Sequence, residues 1–583
     1  MVTLGLSFES WEAFSMLATD RVVFASDIGA EDLFTPQFAE LLVALHKRFT
    51  PRVHTLRATR AAVLDRALKQ RVMPGHLPIS EINTGDWKVS EVPEELRRPG
   101  IEISGPASIT SMFINALNAG PEGTRAEGDL DDDEDSAGHR LVDTVTAARN
   151  RLEAVERTLS FTNERTGKEY RIEEGAIPFF MHRERGLHLD EPDVTIDGSP
   201  VPAAILGTAL TLFHAGRAQL QLGQGVYFYL PKLESAEEAG FWRDFFDYSR
   251  KHLELGNEAV IRAIPLVESL PIAYQMEEAL YALGPYAAGL NAARWDFKAS
   301  VFEYVMTDPR SVWPDRFGVD IKTTEFLSSI FRRLVAVCLK RGAVPIGGMA
   351  TALPSRDREV NEAAAATIKA DKVWEARQGF IRAWVAHIFH MKAAADPFKE
   401  LHGSGWEPTP QMMDPDRFPI KVEVPEGPIT VGGTRRNCRM LIEYVEGWLG
   451  GRGAKGIDSQ AGQPGNHPAL MEDLATGRMS TAQIAQRIIH GAGDTETGQT
   501  HDFALVKGLL QAEAEDIISR LGGAAEKGEA DSEGAFRESE ARYRKAVKIA
   551  MRWIRNYTEL DFRSLGSYTR ADLDAIAAAE DAF

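Results

Sequence analysis

GVYFYLPKLESAEEAGFWRDFFDYSRKHL, residues 225–253, holds the pattern on which the fold turns. Its first part, GVYFYLP (225–231), is a short, β-rich apolar run and reads as a buried strand. Its second part, EEAGFWRDFFDYSRKHL (237–253), is longer and reads as a helix. The same unit recurs on either side. Strand candidates IEIS (101–104), AEGDL (126–130) and AIPFFMHR (176–183) precede it. AVIRAIPLVE (259–268), YAAGLNAARWD (286–296), AVPIGGMA (343–350) and RAWVAHI (382–388) follow. Helical stretches lie between them, among them HRLVDTVTAARNRLEAVERTL (139–159), PIAYQMEEALYAL (271–283) and TEFLSSIFRRLVAVCLK (324–340). Alternation of this kind implies a parallel sheet, and eight units are the number that closes a (β/α)8 barrel. A doubly wound open sheet is the alternative, but no G-x-G-x-x-G turn follows an early strand.

The barrel accounts for residues 101–395. Residues 1–100 have mostly helical patterns, such as FAELLVALHKRF (38–49) and RAAVLDRALKQRV (60–72), and form an N-terminal helical domain. Pro and Gly punctuate 396–433, which reads as a linker. Residues 434–583 are again helical, with interruptions at 450–468 and 522–536 whose compositions suggest surface loops.

A chain of 583 residues is long enough for two or three domains. Its net charge of −19 disfavours a nucleic-acid partner and an anionic membrane surface. Only Cys338 and Cys438 are present, which excludes a disulfide framework or a cysteine metal cluster. The start, MVTLGLSFESWEAF, has no basic n-region, and VPAAILGTALTLFHAG (201–216), the most apolar helix candidate, carries Thr and His. A cytoplasmic protein acting on small molecules is the expectation; the oligomeric state stays open.

Barrel enzymes gather their chemistry at the C-terminal ends of the strands. Those ends carry Arg183, Lys232, Glu234, Glu268 and Asp296. Glu268 and Asp296 are carboxylates at neighbouring strand ends, and two such oxygens suit Mg2+, leaving most of its shell for waters and a bidentate substrate. The run DLDDDEDS (129–136) also follows a strand; most of its members read as a solvated acidic loop, with one or two supporting a metal site from behind. In ALMEDLATGRMS (469–480) the paired acids Glu472 and Asp473 read, on their own, as a helix N-terminus.

Taken in order, TGDWKVSEVP (84–93), INALNAG (114–120), EDS (134–136), RERGLHL (183–189) and YFYLPKLES (227–235) are similar to segments of malate synthase, the A-type isoform. PLVESLPIAYQMEEALYAL (265–283), GLNAARWD (289–296), IGGMA (346–350) and ADKVWEA (370–376) continue the resemblance. AWVAH (383–387), VPEGPIT (424–430) and LMEDLAT (470–476) complete it over nearly the whole chain. The resemblance implies a barrel clasped by the N-terminal domain and capped by the C-terminal one. It also implies condensation of acetyl-CoA with glyoxylate and hydrolysis of the thioester to malate and CoA, in the glyoxylate cycle. Carried over by motif, Glu268 and Asp296 are its Mg2+ ligands, Arg183 stabilises the enolate and Asp473 is the base, while Glu472 is left as a cap.

Three departures from the family pattern bear on specificity. GPASITSM (105–112) lacks the usual charges, Ala293 replaces a glycine, and FIRAWVAHI (380–388) differs before its tryptophan. They were chosen because strands one, six and eight lie where oxoacid and acyl-CoA would sit. The alternatives are the same chemistry on another acyl-CoA or 2-oxoacid, or a non-catalytic relative that only binds.

Overall fold

The computed structural model describes residues 20–25, 28–256, 258–322, 324–457, 469–526 and 533–580. The first residues of the chain, 458–468 of the first interruption and 527–532 of the second lie outside the described residues.

Eight strands close into one parallel barrel: β1 (Gly100–Gly105), β2 (Gly128–Asp132), β3 (Phe179–Arg183), β4 (Val226–Leu230), β5 (Ile261–Val267), β6 (Gly289–Ala292), β7 (Val344–Ala350) and β8 (Arg382–Val385). They pair in chain order, and β8 returns to β1 with Arg382 opposite Gly100. All eight expected strands are present. The strands are buried on both faces, as a barrel wrapped in helices requires. Leu130, Met181, Tyr229, Leu266, Ile346 and Trp384 fill the interior, while a larger apolar layer joins the outer faces to the helices.

Some boundaries differ from the sequence reading, each for a local reason. β2 runs on through Asp132 because its acids find buried cationic partners. The stretch 286–296 is strand only to Ala292; Ala293 turns the backbone (φ −91°, ψ 84°) and helix α2, defined below, begins at Arg294. The two N-terminal helices are one, α1 (Pro36–Gln70), which continues through Pro51. Its Phe49 packs on Phe241 and Phe245 of the helix Ala236–His252. A strand that the helical reading of 1–100 omits, Val22–Phe24, pairs with Asp190–Ile196. The start of the expected linker is helical as well. Helix Met391–Gly403 carries past residue 395 because Pro397 and Phe398 stay buried, so the punctuation at DPF does not end it.

Beyond Gly403, short 3-10 turns lead to the C-terminal helices. With α2 at Arg294–Val305, these are α3 (Val431–Leu449), α4 (Leu474–Ile489) and α5 (Glu533–Thr558). α4 lies directly on α2, so the C-terminal bundle covers the C-terminal mouth of the barrel. No helix among the described residues is long and apolar enough to cross a membrane.

The barrel floor holds an ion pair with no access to water. Arg382 Nε donates to Glu102 Oε1 at 2.8 Å, and Tyr229 Oη and Trp384 Nε1 donate to Glu102 Oε2 at 2.6 and 3.1 Å. Arg382 also donates to the carbonyls of Leu96 and Arg98. Removing one partner leaves a buried, uncompensated charge, which typically costs about 3–5 kcal/mol. Arg382→Met is therefore expected to lose about that much stability in urea unfolding. Adding Glu102→Gln should restore part of the loss; a double variant no better than the single one would refute this account.

Candidate active site

The loop after β2 is built on one carboxylate. Asp132 Oδ1 accepts the backbone N–H of Glu134 at 2.9 Å and of Asp135 at 3.2 Å, and Oδ2 accepts that of Ser136 at 3.1 Å. The same carboxylate receives a two-pronged contact from Arg183, at the end of β3, at 2.7 and 2.6 Å. Arg183 also approaches Asp135 Oδ2 at 3.2 Å and lies over the Trp384 ring at 5.3 Å.

The expectation that DLDDDEDS is a solvated loop is therefore wrong. Asp129, Asp131, Asp132, Asp133, Glu134 and Asp135 are all buried. Period-two alternation sends Asp131 outward to Arg151 at 2.6 Å, and Asp133 meets the same guanidinium at 3.0 Å. Asp132 turns to the rim and Arg183. Cations on neighbouring elements are what make this burial tolerable.

At the mouth, Asp135, Glu268 and Asp296 bring one oxygen each within 4.8 Å of one another. Glu268 follows β5, and Asp296 sits in the first turn of α2 rather than on a strand end. Lys232, just past β4 in a left-handed conformation (φ 55°), puts its ammonium among them, hydrogen-bonded to Asp296 Oδ2, 3.0 Å from Asp135 Oδ1 and 3.9 Å from Glu268 Oε1. Its backbone N–H donates to Glu268 Oε1 at 2.5 Å, whereas Glu268 Oε2 is buried with no hydrogen-bond partner.

Burial, with repulsion from Asp296 and Asp135, pushes Glu268 up to about 8 against the pull of Lys232. Burial also acts on Asp296, but Lys232 and Arg478 outweigh it and hold that carboxyl below its usual range. Lys232 sits among the three carboxylates, while Arg183 on Asp135 is shared with Asp132 and Arg478 on Asp296 is shared with Glu303, so the buried acids outnumber the cations. An all-oxygen set with an unpartnered donor oxygen fits a hard divalent cation. Asp135 is the member that sequence reading left in a supporting role.

Asp473 enters from above. It is the residue before α4, extended (φ −134°, ψ −169°), and its Oδ1 accepts the Thr476 N–H at 3.2 Å while Thr476 Oγ1 accepts the Asp473 N–H at 3.0 Å. The helix cap is thus Asp473 itself, not Glu472. Glu472 ends a short strand, Leu470–Glu472, and faces the Arg316 guanidinium at 3.4 Å. Burial, then repulsion from Asp135 and Asp296, raises the Asp473 carboxyl well above the usual aspartate range.

Arg183, Glu268, Asp296 and Asp473 line one cavity with Asp135 and Trp384. Glu234 is not among them; it turns to Tyr304, whose hydroxyl donates to it at 3.2 Å. Of the three departures, Ala293 lines the cavity. Ala107 is buried in a separate apolar cluster, although Met112, at the end of that stretch, edges a second cleft between β1 and β8. Phe380–Arg382 lie at the N-terminal end of β8, away from the mouth, because the strand begins only at Arg382. Placing that departure beside the substrates was wrong.

Comparison with known proteins agrees with this layout. The family described as "Malate synthase, TIM barrel domain" matches residues 179–414, and "Malate synthase, C-terminal" matches 428–570. Malate synthase A of Escherichia coli (strain K12) is 34% identical over 561 residues, covering 94% of this chain and 98% of that protein. Malate synthase of Streptomyces clavuligerus is 36% identical over 509 residues, covering 85% and 89%. That of Myxococcus xanthus is 35% identical over 490 residues, covering 83% and 86%. With three buried carboxylates gathered at the barrel mouth and a helical bundle laid across it, and with identity of this extent, the chain belongs to the malate synthase family.

Proposed function

We propose that the chain condenses acetyl-CoA with glyoxylate and hydrolyses the thioester, releasing malate and CoA for the glyoxylate cycle. The observation that carries this reading is the convergence of Asp473, from the C-terminal bundle, with Arg183 and the three-carboxylate group of the barrel on one cavity. In this reading residues 1–100 clasp the barrel, 101–395 form it, 396–433 link it and 434–583 cap it. The cation is Mg2+, held by Glu268 and Asp296 with Asp135 beside them, and the enzyme works in the cytoplasm.

The methyl of a thioester is a very weak carbon acid, so its deprotonation needs a placed base and immediate stabilisation of the enolate. Asp473 supplies the base. Thr476 holds Oδ1, which leaves Oδ2 to take the proton, and burial raises its basicity. Arg183 cannot lose its charge, and it is held in place by Asp132 and Trp384. It stabilises first the enolate oxygen and then the alkoxide formed as the methylene carbon bonds to the glyoxylate carbonyl carbon. Mg2+ held by Glu268 and Asp296 would supply Lewis acidity toward the oxoacid carbonyl. Water then cleaves the thioester to a carboxylate and the free thiol of CoA. Ala293 is the one departure that faces this cavity, and it keeps a different small 2-oxoacid as the second reading.

Two outcomes are expected. Glu268→Gln and Asp296→Asn should each abolish turnover and weaken Mn2+ binding, measured by electron paramagnetic resonance, by more than the about 10- to 100-fold typical of outer-shell changes. Glu234→Gln, directed elsewhere, should bind Mn2+ as the wild type does; equal binding by all three variants would remove the proposed ligands. For the base, Asp473→Asn keeps the helix cap, since Asn caps as well as Asp. It should nonetheless slow the reaction by about 10²- to 10⁴-fold. Exchange of the acetyl-CoA methyl protons with D2O, in the presence of pyruvate as an unreactive analogue, should slow in parallel. Glu472→Gln, which weakens the contact with Arg316 and leaves the Asp473 carboxylate in place, should exchange normally. Wild-type exchange in Asp473→Asn would place the base elsewhere.

A further inference from the structure

Among the contacts between the bundle and the barrel, one guanidinium reaches a carboxylate of the mouth. Arg478 lies on α4, just over a turn beyond Asp473, and its side chain is only 18% exposed. Its Nε and one terminal nitrogen grip the two oxygens of Glu303 at 2.8 and 2.5 Å. Its other terminal nitrogen donates to Asp296 Oδ1 at 2.9 Å. Glu303 and Asp296 are both on α2, and Tyr557 of α5 donates to Glu303 Oε1 at 2.9 Å.

This arrangement has directional consequences. The two-pronged contact with Glu303 fixes the plane of the guanidinium, so its remaining N–H groups have one place to go. That place is Asp296 Oδ1. With Oδ1 engaged from the bundle, Oδ2 is the oxygen turned to Lys232 and the other two carboxylates.

We infer that Arg478 is a positioning residue that ties the seating of the base-bearing helix to the orientation of Asp296, so that Asp473 and the metal-binding carboxylate are set by a single contact. The inference rests on the reading of Asp296 as a metal ligand. It commits to a sign. Acting through charge alone, a cation beside a ligand repels a metal, and its removal should tighten binding. Acting through position, its removal should loosen binding.

The test is Mn2+ binding to the full-length protein, followed by electron paramagnetic resonance, together with methyl-proton exchange of acetyl-CoA. Arg478→Met is expected to weaken Mn2+ binding by about 10- to 100-fold, as loss of an outer-shell contact does elsewhere. Exchange should slow as well. Arg478→Lys keeps the charge but cannot span both carboxylates, so it should also weaken binding, which an effect of charge alone does not predict. Tyr557→Phe, which removes the hydroxyl that braces Glu303 and lies beside Arg478 while leaving both carboxylate contacts of Arg478 in place, should shift binding in the same direction by less. It carries the test should Arg478→Met fail to fold. Asp296→Asn separates the two ideas. If that variant weakens Mn2+ binding while the Arg478 variants bind as tightly as wild type or tighter, the positioning role is overturned and the metal site stands. If Asp296→Asn binds Mn2+ normally, both fall.

Discussion

The constraint on which the molecule depends is an excess of buried negative charge at the barrel mouth. Asp132, Asp135, Glu268, Asp296 and Asp473 are all withdrawn from water, and Lys232, Arg183 and Arg478 are the cations set among them. Charges in such a place are tolerable only when paired or when a metal completes them. The pairing explains the local geometry: the strained backbone at Lys232, the tight turn around Asp132, and Arg183 locked against both a carboxylate and an indole. What the pairing leaves over is centred on the unpartnered oxygen of Glu268, next to Asp135 and Asp296.

The C-terminal bundle closes this arrangement and depends on it. It packs α4 along α2 and adds polar contacts around the mouth. Besides Arg478, the Leu474 N–H reaches the Asp135 carbonyl at 3.4 Å, and Gly453 lies so close to Ala137 that an added Cβ would stand 2.1 Å from the Ala137 carbonyl oxygen. A close approach of this kind leaves the bundle one seat on the loop that carries Asp135. The first turn of α4 therefore arrives in register with the barrel. Asp473 does two things with one carboxylate: it caps the helix through Oδ1 and faces the cavity beside Asp135 and Asp296.

Much of the fold was legible because barrel strands are buried on both faces and advertise it in composition; VYFYL and IRAIPLV could hardly be anything else. Strand ends and a family motif mark Arg183, Glu268, Asp296 and Asp473 in the sequence, and the fold brings the four to one cavity. Asp135 was underrated because an acidic run looks solvated until its counter-charges are known, and Arg151, Arg183 and Lys232 come from elements distant in sequence. Arg382 was misplaced for a related reason. A residue near a strand can sit at either end of the barrel, and only the register of β8 against β1 shows that it belongs to the floor.

Splitting the site between two domains solves a conflict that one rigid domain would face. A base strong enough to attack a carbon acid must be kept from water, yet acetyl-CoA and glyoxylate must reach it. In this chain the permanent charges, Arg183 and Lys232, are fixed by the barrel, whereas the carboxylate whose basicity depends on burial is carried by the bundle. The burial that raises the Asp473 carboxyl comes from the seat of its helix over the mouth, and repulsion from Asp135 and Asp296 raises it further, so the carboxylates that crowd the mouth add to the basicity that the bundle's burial begins.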